Sequence, residues 1–263
     1  MSRLATRDLT LAYDRRDVVR DLDVEIPDRS FTVIIGANGC GKSTLLRALA
    51  RVLKPASGTV LLDGKGIGEH PSRHVARTIG LLPQSPITPD GITVAELVGR
   101  GRFPHQGALR RETPEDRAVV ERCLAETGLI DLKARPVATL SGGQRQRAWI
   151  AMALAQDTEL LLLDEPTTYL DLTHQIEVLD LCARLHADGR TVVAVLHDLN
   201  QAARYASHMI VLKDGAVHAE GAPEDVITAD TVAEAFGLRA RIIPDPETGT
   251  PLVIPLPSQV TAK

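Results

Sequence analysis

Phe31-Thr32-Val33-Ile34-Ile35-Gly36-Ala37-Asn38-Gly39-Cys40-Gly41-Lys42-Ser43-Thr44 is the stretch on which the reading of this chain turns. Phe31 to Ile35 is a near-continuous apolar run, the pattern of a strand buried on both faces. Gly36 to Gly41 breaks it. From Lys42 to Leu53 the apolar residues Leu45, Leu46, Leu49 and Leu53 recur at helical spacing, and the pattern stops before Pro55. Strand, glycine loop and helix are the setting in which GxxxxGK[ST] holds phosphate. Glycines let successive backbone N–H groups turn inward as an anion nest, and the following helix points its positive end at the same charge. Gly36 to Thr44 is therefore the expected cradle. Within it Lys42 reaches the β- and γ-phosphates and the Ser43 hydroxyl ligates magnesium. Cys40 reads as a small residue acting through its backbone N–H, or else as a reactive thiol. A plain glycine turn is the competing reading, and the flanking strand and helix weigh against it.

A second set of residues belongs to the same chemistry. Leu160-Leu161-Leu162-Leu163-Asp164-Glu165 reads as a buried strand that ends in two acids. Asp164 would deliver a carboxylate to the metal, and Glu165 is placed to polarise an attacking water. Two adjacent acids also suit an exposed turn, but not after four leucines.

Around these segments the chain alternates between patterns. Leu9, Leu11 and Tyr13, then Leu22, Val24 and Ile26, flank Asp14-Arg15-Arg16-Asp17 and predict an antiparallel pair with one covered face. Further strands are expected at Thr78 to Leu82, Leu160 to Leu163 and Thr191 to Leu196. Their interleaving with helices predicts a mainly parallel sheet. From about Pro89 to Gln156 the pattern is helical (Val94 to Val98, Pro114 to Thr127, Gln144 to Gln156), which predicts an inserted helical subdomain. The tail from Ala222 holds a short helix near Thr231 to Phe236. A small hairpin follows from Arg241-Ile242-Ile243 and Leu252-Val253-Ile254. The expected organisation is one domain over 1–263: a core of 1–88 and 157–221, a helical subdomain of 89–156, and an appendage of 222–263.

Composition excludes several classes. Apolar residues at 44% and charged residues at 24% exclude disordered and low-complexity chains, and a net charge of -4 argues against a nucleic-acid binder. No apolar run approaches the ~18 residues of a membrane-spanning helix. Met1 to Asp8 has no apolar core of a secretory signal. Cys40, Cys123 and Cys182 are odd in number and lack a CxxC pair, which fits a reducing compartment without disulfide or zinc. A soluble, cytosolic protein is expected, whose membrane role comes from other chains.

Leu140-Ser141-Gly142-Gly143-Gln144 stands at the start of the Gln144 to Gln156 helix. It offers a hydroxyl, bare N–H groups and a helix N-terminus, another anion site. Ser141 alone would also read as an ordinary helix cap. With this string the chain resembles an ABC-type nucleotide-binding subunit over essentially its whole length. That resemblance implies a P-loop NTPase of α/β class, with a mainly parallel sheet, an N-terminal antiparallel β subdomain and the helical insert. ATP and Mg2+ are the implied cofactors. Ser141, Gly142, Gly143 and Gln144 are implied to face ATP held by a partner, so the chain works as a homodimer. Tyr13 takes the adenine-stacking position, although a strand aromatic is the plainer reading. Gln84, in Leu82-Pro83-Gln84, matches the glutamine that meets magnesium and the attacking water. Asp171, after Leu170, lies in the loop implied to cross the dimer interface. His197 resembles the switch histidine that contacts the γ-phosphate, although a lone strand-end histidine is usually structural. Glu165, His197 and Gln84 are thus the implied catalytic residues. Ser43, Gln84 and Asp164 are the implied metal ligands.

Gly99-Arg100-Gly101-Arg102-Phe103-Pro104-His105, Glu165 to Gln175 and His197 to Ala206 resemble the ATP-binding subunits of ferric-siderophore importers, with haem and vitamin B12 importers as relatives. This implies ATP hydrolysis that powers uptake across the cytoplasmic membrane. The chain would sit on the membrane's cytoplasmic face, bound to permease subunits and through them to a substrate-binding protein. Arg100, Arg102, Arg110 and Arg111 read as a solvated basic face or a permease-docking surface. Trp149 reads as core. A soluble ABC ATPase acting on ribosomes or DNA is the rival class, but the chain has one ATPase unit and no long coiled-coil insertion.

Overall fold

The computed structural model describes residues 2–13, 16–84, 90–106 and 112–257. The strands and helices in chain order are β1 (Ser2–Tyr13), β2 (Arg16–Leu22), β3 (Glu25–Pro27), β4 (Phe31–Gly36), α1 (Lys42–Leu49), β5 (Ser57–Leu62), β6 (Lys65–Gly66), α2 (Ser72–Thr78) and β7 (Ile79–Leu82). They continue as α3 (Val94–Gly99), α4 (Pro114–Glu126), α5 (Gly142–Ala155), β8 (Leu160–Asp164), α6 (Leu172–Ala187) and β9 (Thr191–Val195). The last are α7 (Leu199–Tyr205), β10 (His208–Lys213), β11 (Ala216–Gly221), α8 (Pro223–Val226), α9 (Ala229–Phe236), β12 (Ala240–Pro244) and β13 (Pro251–Pro255). The chain divides into two compact units, Met1–Ile67 with Val193–Lys263, and Gly68–Val192. Among the described residues no helix is long and apolar enough to cross a membrane.

In the first unit every residue of β4 is buried, as its apolar run requires. β10 lies parallel beside it, with Val33 opposite Met209 and Ile35 opposite Val211, and β11 pairs antiparallel with β10. β9 is the neighbour of β4 on its other side. The expected N-terminal pairing is present: Leu9 faces Leu22 and Tyr13 faces Arg16, while Asp14 and Arg15 lie outside the described residues. Ile26 falls in a separate strand, β3, which pairs with the first half of β1, and Val24 lies in the link between β2 and β3. At the crossover the Thr6 hydroxyl donates to Leu22 O and accepts from Val24 N, which satisfies the backbone where the ladder breaks. The hairpin of β12 and β13 forms as expected.

Three further expectations about element bounds need correction. α1 ends at Leu49 rather than Leu53, because Arg51 takes a left-handed conformation (φ 58) and the N–H groups of Val52 and Leu53 both turn back to Arg47 O. Thr78 closes α2 instead of opening β7. β10 was not expected, although Met209 to Leu212 is an apolar run buried as completely as β4.

In the second unit β7 and β8 run parallel, Ile79 opposite Leu160 and Leu82 opposite Leu163. Helices α3, α4 and α5 pack together around Leu97, Val98, Val120, Leu124, Ile150 and Leu154, and Trp149 is buried among them. Each of the three starts with a reciprocal capping box: Thr93 with Glu96, Thr113 with Asp116, Ser141 with Gln144. Among the described residues from 90 to 156 no strand is present, only an isolated bridge between Thr93 and Pro136.

Arg102 is not part of a solvated face. It is only 4% exposed, and its Nε donates to Asp116 Oδ1 at 2.9 Å. Arg100 is exposed, and Arg110 and Arg111 lie outside the described residues. Burial works against the charge of Asp116, but the Arg102 guanidinium and two hydrogen bonds from Thr113 outweigh it and hold the carboxyl below its usual range. A carboxyl with a depressed folded-state pKa stabilises the fold above the unfolded value of about 4 and loses that contribution as pH falls through the folded one. Asp116→Asn should therefore lower the urea midpoint at neutral pH, and its deficit against the parent chain should shrink as the pH is taken down to about 3.

Candidate functional site

In the first unit the glycine loop leaves the end of β4 and enters α1. Gly36 takes φ 152, and a Cβ there would stand 2.2 Å from Leu212 O, so only glycine lets β10 come this close to the start of the loop. Gly41 takes φ 106 immediately before α1, where a Cβ would meet Val19 Cγ2 at 2.8 Å. Ala37, Asn38 and Gly39 form the exposed crown of the loop. The Lys42 side chain folds back over it. Its Nζ donates to Gly36 O at 2.9 Å and to Ala37 O at 3.0 Å, with the residue only 6% exposed. Ser43 is half-buried and Thr44 buried in the first turn of α1. The Cys40 N–H donates to Ala37 O. Burial raises the Cys40 thiol above its usual range and overrides the nearby Lys42 ammonium, so the thiol stays protonated.

Two more expected residues lie in this unit. Tyr13 ends β1 at 42% exposure, an aromatic ring open to solvent. His197 is exposed just past β9, followed by Asp198, whose side chain accepts from Gln201 N and caps α7.

The second unit brings its own set together at one end of two strands. The register of β7 and β8 sets Leu82 beside Leu163, so Gln84 on one chain exit and Asp164 with Glu165 on the other share the carboxyl ends of adjacent parallel strands. That is where α/β sheets bind ligands. Asp164 is 1% exposed. Glu165 takes a left-handed backbone conformation (φ 54), a strained position for a residue with a side chain, and its Oε2 accepts from the Thr168 hydroxyl at 3.2 Å.

Ser141 is the N-cap of α5. Its hydroxyl accepts from Gln144 N at 3.3 Å, while Gln144 Oε1 accepts from Ser141 N at 3.1 Å. Gly142 and Gly143 make the first turn, and a Cβ at Gly142 would meet nothing within 4 Å. Asp171 caps α6 and accepts from His174 N at 3.0 Å and His174 Nδ1 at 2.6 Å; these bonds hold its carboxyl below the usual range. Sequence reasoning passed over two neighbours. Thr168 orients Glu165, and Tyr169, left-handed at φ 66, is 82% exposed. Both sit in Pro166-Thr167-Thr168-Tyr169, directly after the two acids, and the surface aromatic was the available signal.

A buried strand, a glycine loop with its lysine turned inward and a helix opening behind it define a phosphate-loop α/β protein. The sequence pattern described as "ABC transporter" matches residues 19–168. The ferric enterobactin transport ATP-binding protein of Escherichia coli (strain K12) is 55% identical over 257 residues, covering 97% of this chain and 95% of that one. The probable siderophore transport system ATP-binding protein of Bacillus subtilis (strain 168) is 52% identical, covering 97% and 93%. Among solved structures, a dimeric post-hydrolysis state of the ATP-binding cassette MJ0796 bound to ADP and Pi superposes with a TM-score of 0.75 at 30% identity, covering 83% of this chain and 98% of that one. The chain belongs to the ABC transporter family, and its fold is that of the family's ATP-binding cassettes.

Gly36→Ala tests the geometry of the loop. Its Cβ would collide with a backbone oxygen and hold a strained φ, so the variant should lose roughly 1–3 kcal/mol of stability in urea unfolding.

Proposed function

We propose that this chain is the ATP-hydrolysing subunit of an importer of ferric siderophores, acting as a homodimer on the cytoplasmic face of the membrane. The observation that carries the reading is one of count. Among the described residues there are two ends suited to a phosphate, the glycine loop before α1 and the Ser141 end of α5, and one pair of acids closing a buried strand, Asp164 and Glu165. The likeness to importer subunits supports the transport role and the class of cargo.

In this reading the chain's own nucleotide is held from Gly36 to Thr44, with Tyr13 stacked on adenine. Lys42 exchanges the carbonyls of Gly36 and Ala37 for the stronger, charged acceptors of the β- and γ-phosphates. Ser43, Gln84 and Asp164 offer a hydroxyl, an amide and a carboxylate, hard oxygen donors that suit Mg2+ bound jointly with substrate phosphates. When bound, the ion would supply charge neutralisation at the phosphates. Glu165, steadied by Thr168, polarises the attacking water, and His197 contacts the γ-phosphate. Ser141, Gly142, Gly143 and Gln144 serve the partner's ATP, and Asp171 lies in the loop that crosses between subunits. ATP favours the closed dimer only through this extra contact, and hydrolysis removes it.

The ATP-binding core is assigned to 1–88 and 157–221, the helical signature subdomain to 89–156, and the appendage to 222–263. Permease subunits would engage the helical subdomain and the segment near Gln84. There an open groove of about 600 Å³ is lined by Ile92, Ala95, Gly99, Phe103 and Val120, with Glu96 and Arg100 among its polar residues. The substrate-binding protein acts at one remove, through the permease.

Replacing Glu165 by Gln should lower ATP turnover roughly a hundredfold or more while ATP still binds. A deletion strain should lose growth on a ferric siderophore as its iron source, and the parent chain but not Glu165→Gln should restore it. Full turnover by Glu165→Gln would refute the assignment of the base, and undiminished growth of the deletion strain would refute the cargo.

A further inference from the structure

Gly99-Arg100-Gly101-Arg102-Phe103-Pro104-His105 plays no part in the nucleotide chemistry, yet its contacts converge on the C-terminal end of α5. A Cβ on Gly101 would lie 2.3 Å from Met152 O and 3.0 Å from Ala155 Cβ, so the segment rests directly on the last turn of that helix. The buried Arg102, anchored by Asp116, donates through Nη1 to Ala155 O at 2.9 Å. His105 Nε2 stands 2.7 Å from Gln156 O and, facing a carbonyl, must be the donor. Pro104 O in turn accepts from Arg73 and Arg77 of α2, both at 2.9 Å. The last carbonyls of a helix have no partner within it, and donors, above all cationic ones, stabilise that end. The motif is a C-terminal cap for α5.

The residue so held is Gln156, and its side chain reaches out to β7. Leu81 N donates to Gln156 Oε1 at 3.2 Å, and Gln156 Nε2 donates to Leu81 O at 3.3 Å. One amide thus takes both backbone groups of one strand residue, as a neighbouring strand would. β7 is the last strand of its sheet among the described residues, an edge with no described strand beside it. Gly80 makes room for Thr158 beside this contact, since a Cβ there would lie 2.6 Å from Thr158 Oγ1 but in ordinary contact, 3.5 Å, with Gln156 Oε1. Three residues beyond Leu81 is Gln84. At the far end of α5 stand Ser141, Gly142 and Gly143, one rigid helix away.

We propose that Gln156, fixed by the Gly99 to His105 cap, is a positioning residue that ties the Ser141 end of α5 to the strand that delivers Gln84. This rests on the roles given to Ser141 and Gln84 in the proposed function. It gives that motif a mechanical task, the transmission of position between two nucleotide-facing groups, separate from contact with cargo or nucleotide. Lys42 and the glycine loop are untouched by it, so the tie acts on turnover rather than on ATP binding.

Steady-state ATP hydrolysis by the full chain tests this with Gln156→Ala, Gln156→Glu and Glu165→Gln measured side by side. Gln156→Ala should lower kcat between ten- and about a hundredfold with KM for ATP nearly unchanged. Gln156→Glu keeps the acceptor for Leu81 N but sets a carboxylate against Leu81 O. Protonation restores the donor, so its kcat relative to the parent chain should rise as pH falls from about 8 to about 6. Parental kcat in Gln156→Ala, or a kcat ratio for Gln156→Glu that does not move with pH, overturns the proposal. If Gln156→Ala does not fold, the pH dependence of Gln156→Glu decides alone. Should Glu165→Gln be inactive while Gln156→Ala turns over at the parental rate, only the positioning role fails. Should Glu165→Gln turn over fully, the catalytic reading beneath it fails instead.

Discussion

The ammonium of Lys42 lies buried against the carbonyls of Gly36 and Ala37, and much of the first unit exists to hold it there. A buried charge is expensive unless it is well bonded. Two neutral carbonyls satisfy it only moderately, which leaves it ready for a stronger acceptor. β4 brings the loop to this point because both its faces are covered, and β10 can lie against the start of the loop because Gly36 has no side chain. The same loop then opens α1, whose N-terminal N–H groups and dipole add to the positive field.

Helix starts recur at the residues proposed for the chemistry. α5 opens at Ser141, α6 at Asp171 and α7 at Asp198, each capped by its own side chain. A cap satisfies one of the early N–H groups and leaves others available, so stabilising the helix and presenting an anion site are compatible. At Ser141 the hydroxyl accepts from Gln144 N, and the first turn, open at Gly142, stays accessible to a phosphate. The cap reading and the ligand reading of Ser141 are therefore not rivals.

Local signals were legible in the sequence. β4, the glycine loop and β8 follow from unbroken apolar runs and a motif in its proper setting. The capping boxes at Thr93, Thr113 and Ser141 follow from three-residue spacings that any helix obeys. Non-local facts were hidden. Arg102 read as one of several surface arginines because its partners, Asp116 and Ala155 O, are distant in sequence and meet it only in the folded helical layer. The left-handed backbone of Glu165, and the hydroxyl of Thr168 against it, leave no periodic trace. α1 looked longer than it is because Leu53 falls at helical spacing by coincidence, after the chain has already turned back at Arg51. β10 is equally legible, since Met209 to Leu212 carries the same apolar signal as β4.

In the proposed dimer two copies of this chain complete each other's ATP sites, the Ser141 end of one against the glycine loop of the other. Light scattering on the full chain tests it directly, using Glu165→Gln with ATP so that hydrolysis does not dissolve the complex. The mass should double when ATP is added and return to that of a monomer when Ser141→Arg is introduced as well. A Glu165→Gln chain that stays monomeric in saturating ATP, or a dimer indifferent to Ser141→Arg, would contradict it.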